Sequence, residues 1–475
     1  MYRFLNVFFF ILMGLTVKSQ SFNQFTTRLL SLPEGQRQAI ADSFLTANPT
    51  APHLESDTIC NFYFAGSSQS VSIAGDFTSW DPTTHPMTKI PGTTFWYLTR
   101  FFPADTRADY KIVKNGSSWI LDPRNPWQSM GGFGPNSELR MPQYNRPVCV
   151  DYIQNIPHGS FVDTTFYSTY LGNSRSIRVY LPAGYPAGNQ RYPVVYFHDG
   201  LEYVTLGKAN NTLDYLIQNQ IIRPVIGVFV PPVNRTDEYA GGLQDEFTDF
   251  FTDELVPWVD SRFNTIPEAA SRATLGASNG GNIALWLMAS HPEMIAKTVA
   301  HSSNVENNIL NTFQSLTPQG LRTYLDMGTY DLEILKGRVD ALKLVLNERD
   351  FDYVFYPVND GHSWANWRDH LKDALIYLFP ATQGIYDPIK APLNGLIRPN
   401  PVRGEVTVEV ENQSDSKGQI RLFDVNGQMI VKNWILQNDQ DRQLYKTDLS
   451  DIIPGIYLVT ISNAELSGTL KLIKD

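Results

Sequence analysis

One short segment constrains the fold of this chain more than any other, Gly276-Ala277-Ser278-Asn279-Gly280. It joins an apolar strand-like run (273–276) to an apolar helical run (281–290). A serine between a strand and a helix, with glycines two positions to either side, is the pattern of a nucleophile elbow, where bulkier neighbours would clash. The segment therefore predicts a layered α/β domain with Ser278 as a nucleophile at the end of a strand.

Strand and helix patterns alternate around this turn, from about residue 150 to 380. Such alternation predicts an α/β hydrolase fold, with a mostly parallel sheet covered by helices on both faces. Ligand sites in such sheets lie at the carboxyl ends of the strands. The predicted strands are 176–181, 193–197, 225–230, 273–276, 322–328 and 353–358.

A serine nucleophile needs a histidine base and a carboxylate that orients it, and in this fold they follow the serine in the order acid, then histidine. His362 comes directly after the strand 353–358, where the base is required. Asp331 follows the preceding strand and is our predicted acid. Asp326 is the alternative, but its position is within that strand.

The developing oxyanion needs two backbone N–H donors. Asn279, directly after the nucleophile, is expected to supply one. The other is expected from Leu201, in the loop that follows the strand 193–197.

The two ends of the chain differ from this central region. Residues 1–20 combine Arg3 with an apolar run too short to form a stable membrane span, which predicts a signal peptide, with a retained anchor as the alternative. Residues 381–396 are interpreted as a linker, and alternating strands in 397–475 predict a small β-sandwich. We expect an exported protein that is not an integral membrane protein.

A helical leader (21–55) and an all-β module (56–149) precede the α/β region. An amphipathic helix is predicted at 33–46, and short strands separated by turn residues then indicate an immunoglobulin-like sandwich. Cys60 and Cys149 lie at the two ends of this module, and we interpret them as a disulfide in an exported protein; two buried thiols are the alternative.

Composition excludes several classes of protein. The net charge of −10 argues against a nucleic-acid partner, which would require a basic surface. Two cysteines leave no cluster for a zinc or iron–sulfur site, and no glycine-rich nucleotide loop is present. We therefore expect neither a metal nor a cofactor.

Motifs across the α/β region resemble the enterochelin esterase-like branch of the esterase D superfamily, to which feruloyl and acetylxylan esterases are related. The motifs are Pro157–Gly159, Leu171–Arg175, Val179–Pro182, Phe197–Gly200, Arg235–Tyr239, Gly276–Gly281 and Gly361–Arg368. The resemblance implies that Ser278, Asp331 and His362 are nucleophile, acid and base. It also implies that Arg235, Glu238, Tyr239 and Trp364 line the substrate pocket or brace its wall.

Each flanking module also resembles a known family. Val71–Trp80, Asp109–Gly116 and Leu121–Pro123 resemble the isoamylase-type, glycogen-binding-like domain, which implies glycan contacts by Trp80, Lys111 and Trp119, or a spacer without binding. Pro399–Pro401, Leu422–Gly427 and Pro454–Leu458 resemble the type IX secretion sorting domain of Bacteroidetes, which implies that machinery as a partner.

These observations predict an exported serine esterase of the cell surface or medium. The favoured substrate is a feruloyl or acetyl ester on a polysaccharide, or a small-molecule ester of that kind. A catecholate siderophore ester is the second hypothesis, and a non-catalytic surface protein that binds carbohydrate is the alternative from another class.

Overall fold

The computed structural model describes residues 21–381, 391–392, 395–411, 419–424, 429–430, 434–439, 442–462 and 466–475. The predicted signal peptide (1–20) and most of the predicted linker (381–396) lie outside these ranges. The chain divides into two compact units, residues 1–381 and 382–475. Within the described ranges, none of the helices has the length and apolar character needed to cross a membrane.

Two helices open the first unit, α1 (Phe22–Ser31) and α2 (Glu34–Ala47). Ser21 and Gln24 form a reciprocal capping box that satisfies backbone N–H groups at the start of α1. Of these two helices, only α2 is predicted from the sequence. The Phe25 and Phe44 rings, one from each helix, are stacked at 4.2 Å, and both pack edge-on against Phe95 of the following β-module at 5.8 Å.

The β-module consists of two antiparallel sheets that face one another across an apolar core. One sheet has the order β1-β2-β5-β4 and the other β3-β6-β9-β8, with β7 paired to β6. The strands are β1 (His53–Leu54), β2 (Ile59–Ala65), β3 (Val71–Gly75), β4 (Thr88–Lys89), β5 (Phe95–Phe101), β6 (Arg107–Lys114), β7 (Ser118–Ile120), β8 (Gln128–Gly131) and β9 (Gly134–Arg140). Phe62 and Ile73, from opposite sheets, are both fully buried in this core.

The predicted disulfide is wrong, because both cysteines are free and buried. Cys60 lies on β2 within the core of the β-module. Cys149 instead lies beside Thr212, on a helix of the α/β region. Cys149 belongs to the segment that leaves the β-module and packs on the α/β domain. Its thiol therefore lies away from Cys60.

The α/β region is built on an eight-stranded sheet with the order β10-β11-β13-β12-β14-β15-β16-β17. Strand pairs from β13 through β12 to β17 are parallel, whereas β10–β11 and β11–β13 are antiparallel. The sheet is therefore mixed, and the expectation of a mostly parallel sheet is not confirmed. The strands are β10 (Ser160–Ser168), β11 (Asn173–Leu181), β12 (Val194–His198), β13 (Ile226–Val230), β14 (Arg272–Ala277), β15 (Lys297–His301), β16 (Arg322–Gly328) and β17 (Asp352–Val358).

Helices cover both faces of this sheet. Its central strands are buried along their whole length, which explains their continuous apolar runs. The helices are α3 (Gly200–Thr205), α4 (Ala209–Gln218), α5 (Arg235–Ala240), α6 (Gln244–Asp249), α7 (Val256–Arg262), α8 (Asn279–Ser290), α9 (Asn307–Ser315), α10 (Glu333–Glu348) and α11 (Trp364–Leu378). A π-helical turn, Phe250–Leu255, joins α6 to α7.

The second unit is all-β in its described parts. Its sheets have the orders β18-β26-β25-β21-β22 and β19-β20-β24-β23. The strands are β18 (Ala391–Pro392), β19 (Gly395–Arg398), β20 (Glu405–Glu411), β21 (Gln419–Asp424), β22 (Met429–Ile430), β23 (Ile435–Asp439), β24 (Arg442–Asp448), β25 (Gly455–Ser462) and β26 (Leu466–Lys474). Val406 and Val408 of β20 and Val459 of β25 share one buried core.

Candidate active site

The serine of the strand-to-helix turn has a strained backbone. Ser278 has φ 56° and ψ −121°, and it directly precedes the first residue of α8. A β-carbon on Gly276 would lie 2.1 Å from the carbonyl oxygen of Gly280, so the turn requires glycine there. Non-glycine residues in such conformations are costly and concentrate at functional sites. The half-buried Ser278 is thus presented at the carboxyl end of β14.

The predicted base and acid lie together. Nδ1 of His362 is 2.9 Å from Oδ1 of Asp331, whose side chain is fully buried. This contact leaves Nε2, on the other edge of the ring, to face a reaction partner. The His362 ring packs edge-on against Trp367, with centroids 5.1 Å apart. Ser278 and His362 line the same cavity.

The alternative acid has a different partner. Oδ2 of Asp326 lies 2.5 Å from Nδ1 of His301, and both side chains are fully buried. His301 touches the turn through its backbone, because its carbonyl oxygen accepts from the N–H of Ser278 at 2.9 Å. The geometry therefore favours Asp331 over Asp326 as the group that orients His362.

The predicted oxyanion donors both lie in the first turns of helices. Asn279 is the first residue of α8 and Leu201 the second of α3. N–H groups at these positions have no acceptor within their own helix. Asp199 and Glu202, which flank Leu201, line the cavity that contains Ser278.

The four predicted pocket residues fall into two pairs. Arg235 and Trp364 line the cavity. Glu238 and Tyr239 do not: both are fully buried behind it, so their assignment as substrate contacts is wrong and the alternative, that they brace the wall, remains. The reason is that α5 turns one face to the cavity and the other to the core.

Glu238 and Tyr239 have bracing roles instead. The carboxylate of Glu238 accepts from buried Arg175 at 2.9 Å. The Tyr239 hydroxyl accepts from the N–H of Asp199 at 3.0 Å, and Asp199 binds Arg235 through two contacts of 2.7 Å. Tyr239 therefore positions Asp199, which in turn holds Arg235 in the cavity wall.

The cavity of about 720 Å³ lies between the β-module and the α/β domain. The three predicted carbohydrate-contacting residues, Trp80, Lys111 and Trp119, line it from the module side. The rings of Trp80 and Trp119 lie at 29° with centroids 6.5 Å apart, and Nε1 of Trp80 donates to Asp76 at 3.1 Å. The module therefore provides one wall of the cavity that contains Ser278.

Sequence reasoning missed several lining residues, of which Phe133 is the most exposed. Its side chain is fully exposed at the tip of the β8–β9 hairpin, between glycines on both sides. Glu202 and Trp367 also line the cavity, and burial raises the pKa of Glu202. An aromatic residue within a Gly-Gly-Phe-Gly turn is a signal that could have indicated Phe133.

Buried carboxylates lie where the two domains meet beside His362. Burial and the charge of Asp109 raise the pKa of Asp76 to about 8. Burial raises the pKa of Asp360 from 3.8 to about 7, although Arg107 opposes this shift. Because the pKa values of both carboxyl groups are raised in the folded protein, their ionisation destabilises the fold.

Replacing Asp360 by asparagine is expected to weaken the pH dependence of stability. The pKa of Asp360 is raised on folding, so its contribution is full below the unfolded value of 3.8 and is lost as pH rises through about 7. Asparagine keeps the Oδ1 acceptor used by Arg107 and Gly361 but does not titrate. The melting temperature of the wild type should therefore fall relative to that of Asp360→Asn over this pH range, as measured by circular dichroism. Parallel profiles of melting temperature against pH for the two proteins would contradict this prediction.

Comparisons with known proteins agree with this arrangement. A family model described as "Putative esterase" matches residues 168–378. Carbohydrate-binding module 48 (Isoamylase N-terminal domain) matches residues 47–124, and a secretion system C-terminal sorting domain matches residues 396–475. The sorting domain directs the chain through type IX secretion to the cell surface or the extracellular space.

Two similar proteins and one structure illustrate the range of relatives. An uncharacterized protein of Bacillus subtilis, YjcH, is 26% identical over 46% of this chain and 97% of its own length. An endo-1,4-beta-xylanase/feruloyl esterase of Xylanibacter ruminicola is 32% identical over 30% of this chain and 21% of its own length.

The enterobactin esterase structure from Shigella flexneri covers 71% of this chain and 97% of that chain, with a TM-score of 0.61 and 21% identity, so it shows the shared fold. The chain is therefore a carboxylic ester hydrolase whose residues 168–378 form a domain of the putative esterase family, preceded by an isoamylase-type carbohydrate-binding module and followed by a secretion sorting domain.

Proposed function

We propose that Ser278, His362 and Asp331 act together as a catalytic triad. The carrying observation is that His362, oriented by Asp331 at 2.9 Å, and the strained Ser278 line one cavity. In this arrangement Asp331 fixes Nδ1 as a donor, so Nε2 is the basic nitrogen.

The reaction then has two halves. Nε2 of His362 accepts the hydroxyl proton as Ser278 Oγ attacks the ester carbonyl, and the tetrahedral oxyanion accepts from the N–H groups of Asn279 and Leu201. The C–O bond to the alcohol breaks, and His362 returns the proton to that alcohol. Water, deprotonated by His362, then attacks the acyl-enzyme carbonyl; the bond to Ser278 Oγ breaks, and His362 returns the proton to Oγ as the acid is released.

We further propose that the favoured substrate is an acyl ester on a polysaccharide, such as a feruloyl or acetyl ester. Trp80 and Trp119 offer aromatic faces on which sugar rings can stack, in the same cavity as Ser278. The ammonium of Lys111 adds a donor for sugar hydroxyls. Similarity to a protein named as a xylanase/feruloyl esterase supports this class of substrate.

A catecholate siderophore ester is the second candidate. The ammonium of Lys111 and several aromatic rings line the cavity, which suits an aromatic catechol, whereas the guanidinium of Arg235 is paired with Asp199. The enterobactin esterase from Shigella flexneri shares the fold over 71% of this chain.

A substrate panel distinguishes these candidates. Methyl ferulate, acetylated xylan and enterobactin should be assayed with the wild type and with Ser278→Ala as the blank. Our first proposal expects the highest kcat/KM for methyl ferulate or acetylated xylan. Preference for enterobactin by about tenfold or more would assign the second candidate instead.

Replacing Trp119 by alanine is expected to weaken polymer binding selectively. Loss of one stacking face, worth about 1 kcal/mol, should raise KM for a feruloylated or acetylated xylan about fivefold. The kcat/KM for 4-nitrophenyl acetate should stay unchanged, because that ester is too small to span the cavity. Trp127→Ala is the matched control, since Trp127 is an exposed tryptophan of the same module that lies outside the cavity lining. An unchanged KM for the polymer in Trp119→Ala would remove Trp119 from the substrate site.

A further inference from the structure

The loop that carries His362 is held by a side chain of the other domain. Arg107, on β6 of the β-module, donates from its backbone N–H to the carbonyl oxygen of Asn359 at 3.0 Å. Its NH1 group donates to Oδ1 of Asp360 and to Oγ of Ser363, each at 2.9 Å. Arg107 thus holds this loop on both sides of His362.

The guanidinium is anchored within its own module as well. Its Nε donates to Glu138 at 2.8 Å, and its NH2 group donates to Asp109. The side chain is almost fully buried. Because a guanidinium is a rigid planar fork, fixing Nε and NH2 on the module also fixes the direction of NH1 toward the loop.

Direct packing reinforces these bonds at Gly361, the residue before His362. A β-carbon on Gly361 would lie 2.1 Å from Cγ of Asp76, which belongs to the β-module. The side chain of Asp76 therefore packs directly on the backbone of Gly361, as closely as glycine permits. Both chain neighbours of His362, Gly361 and Ser363, are confined by the module.

The loop that carries Asp331 meets the same module. Tyr330 packs edge-on against Phe77 and Phe102, with ring centroids 6.5 and 6.2 Å away. Its hydroxyl lies 3.3 Å from Oγ1 of Thr106. The module therefore contacts both loops that supply the His362–Asp331 pair.

We propose that Arg107 is a positioning residue and that the β-module, beyond any contact with substrate, holds His362 in its catalytic orientation. This inference rests on the proposed role of His362 as the base. Arg107 does not line the cavity, so its effect should reach the reaction only through the loop. Misplacement of a catalytic group by about 1 Å can lower a rate about 100-fold, so the expected effect is on kcat rather than on KM.

The test measures how readily Ser278 reacts, independently of substrate recognition. The rate constant for labelling by a fluorophosphonate should be compared for the full-length wild type, Arg107→Met and Arg272→Met. Arg272→Met is the matched control, since Arg272 is a buried arginine paired with Asp260 at the opposite end of β14, about 20 Å from Ser278. Circular dichroism confirms that each variant is folded at the assay temperature.

We expect labelling of folded Arg107→Met to slow about tenfold or more, with a parallel fall in kcat for 4-nitrophenyl acetate and little change in KM. Arg272→Met should label at the wild-type rate. Wild-type labelling of folded Arg107→Met would overturn the proposal, and so would an equal loss in Arg272→Met, since that would indicate a general effect of lost stability.

If Arg107→Met does not fold, the Asp360→Ala variant tests the proposal instead. It removes one loop contact while Arg107 keeps Glu138 and Asp109. Labelling slowed about threefold or more would support the proposal, and an unchanged rate would overturn it. Failure of the proposed function looks different: the wild type would not be labelled at all, or Ser278→Ala would be labelled equally.

Discussion

Ser278→Ala is expected to lower kcat for 4-nitrophenyl acetate by about 10⁴-fold or more. The substitution removes the atom that forms the acyl-enzyme, and what remains is the binding and oxyanion stabilisation that the cavity provides without a nucleophile. Folding should be unaffected, because alanine and serine have similar backbone preferences at the strained φ of 56°. Initial rates and a thermal melt of the same preparation measure both expectations.

The matched control for this variant is Ser303→Ala. Within the described chain, the buried hydroxyl of Ser303 has no hydrogen-bond partner, so its loss should change neither folding nor rate. If Ser278→Ala kept a rate within about tenfold of the wild type, Ser278 would not be the nucleophile.

Asp331→Asn is expected to lower kcat by about 10³- to 10⁴-fold, with little change in KM. In the proposed triad, the carboxylate of Asp331 accepts from Nδ1 of His362 and stabilises the imidazolium that forms when the Ser278 proton is taken up. A neutral amide gives no such stabilisation, and its NH2 group can turn to Nδ1 and select the wrong tautomer. The KM stays near its original value because Asp331 is buried and does not line the cavity.

Asp326→Asn provides the internal comparison for this variant. Asp326 is equally buried and also paired with a histidine, but that histidine is His301, which does not line the cavity. Its kcat should stay within about tenfold of the wild type when both folded variants are assayed side by side. A larger loss in Asp326→Asn than in Asp331→Asn would transfer the role of acid to Asp326.

Local sequence patterns predicted the elements that carry the site. The run 273–276 lies within β14, the run 281–290 within α8, and the predicted strand 353–358 within β17. The predictions for β14 and α8 work because a buried strand requires continuous apolar residues and the turn at Ser278 requires glycine at 276. Strand β17 is only partly buried and was predicted from the alternation of strand and helix patterns. The placement of His362 beside Asp331 followed from the order of strands, since adjacent parallel strands end at the same edge of a sheet.

Predictions that depended on distant parts of the chain were less successful. Glu238 and Tyr239 share a helix with Arg235, yet only Arg235 reaches the cavity, because the direction of each side chain depends on how α5 packs. The Cys60–Cys149 bridge failed because residues 148–150 dock on the α/β domain. The two antiparallel pairings of β11 were missed, since the side-chain pattern of a strand does not record the direction of its neighbours.

The sequence by itself determined the order of the modules, the strained turn at Ser278 and the candidates His362 and Asp331, because each follows from short-range sterics and the spacing of apolar residues. Only the tertiary structure decided that Trp80, Lys111 and Trp119 share a cavity with Ser278, and that Arg107 reaches across to the loop of His362. The physical reason is that domain docking depends on the complementarity of two folded surfaces. Arg107 and Asp360 are distant in sequence, and no local pattern indicates that their side chains bind each other.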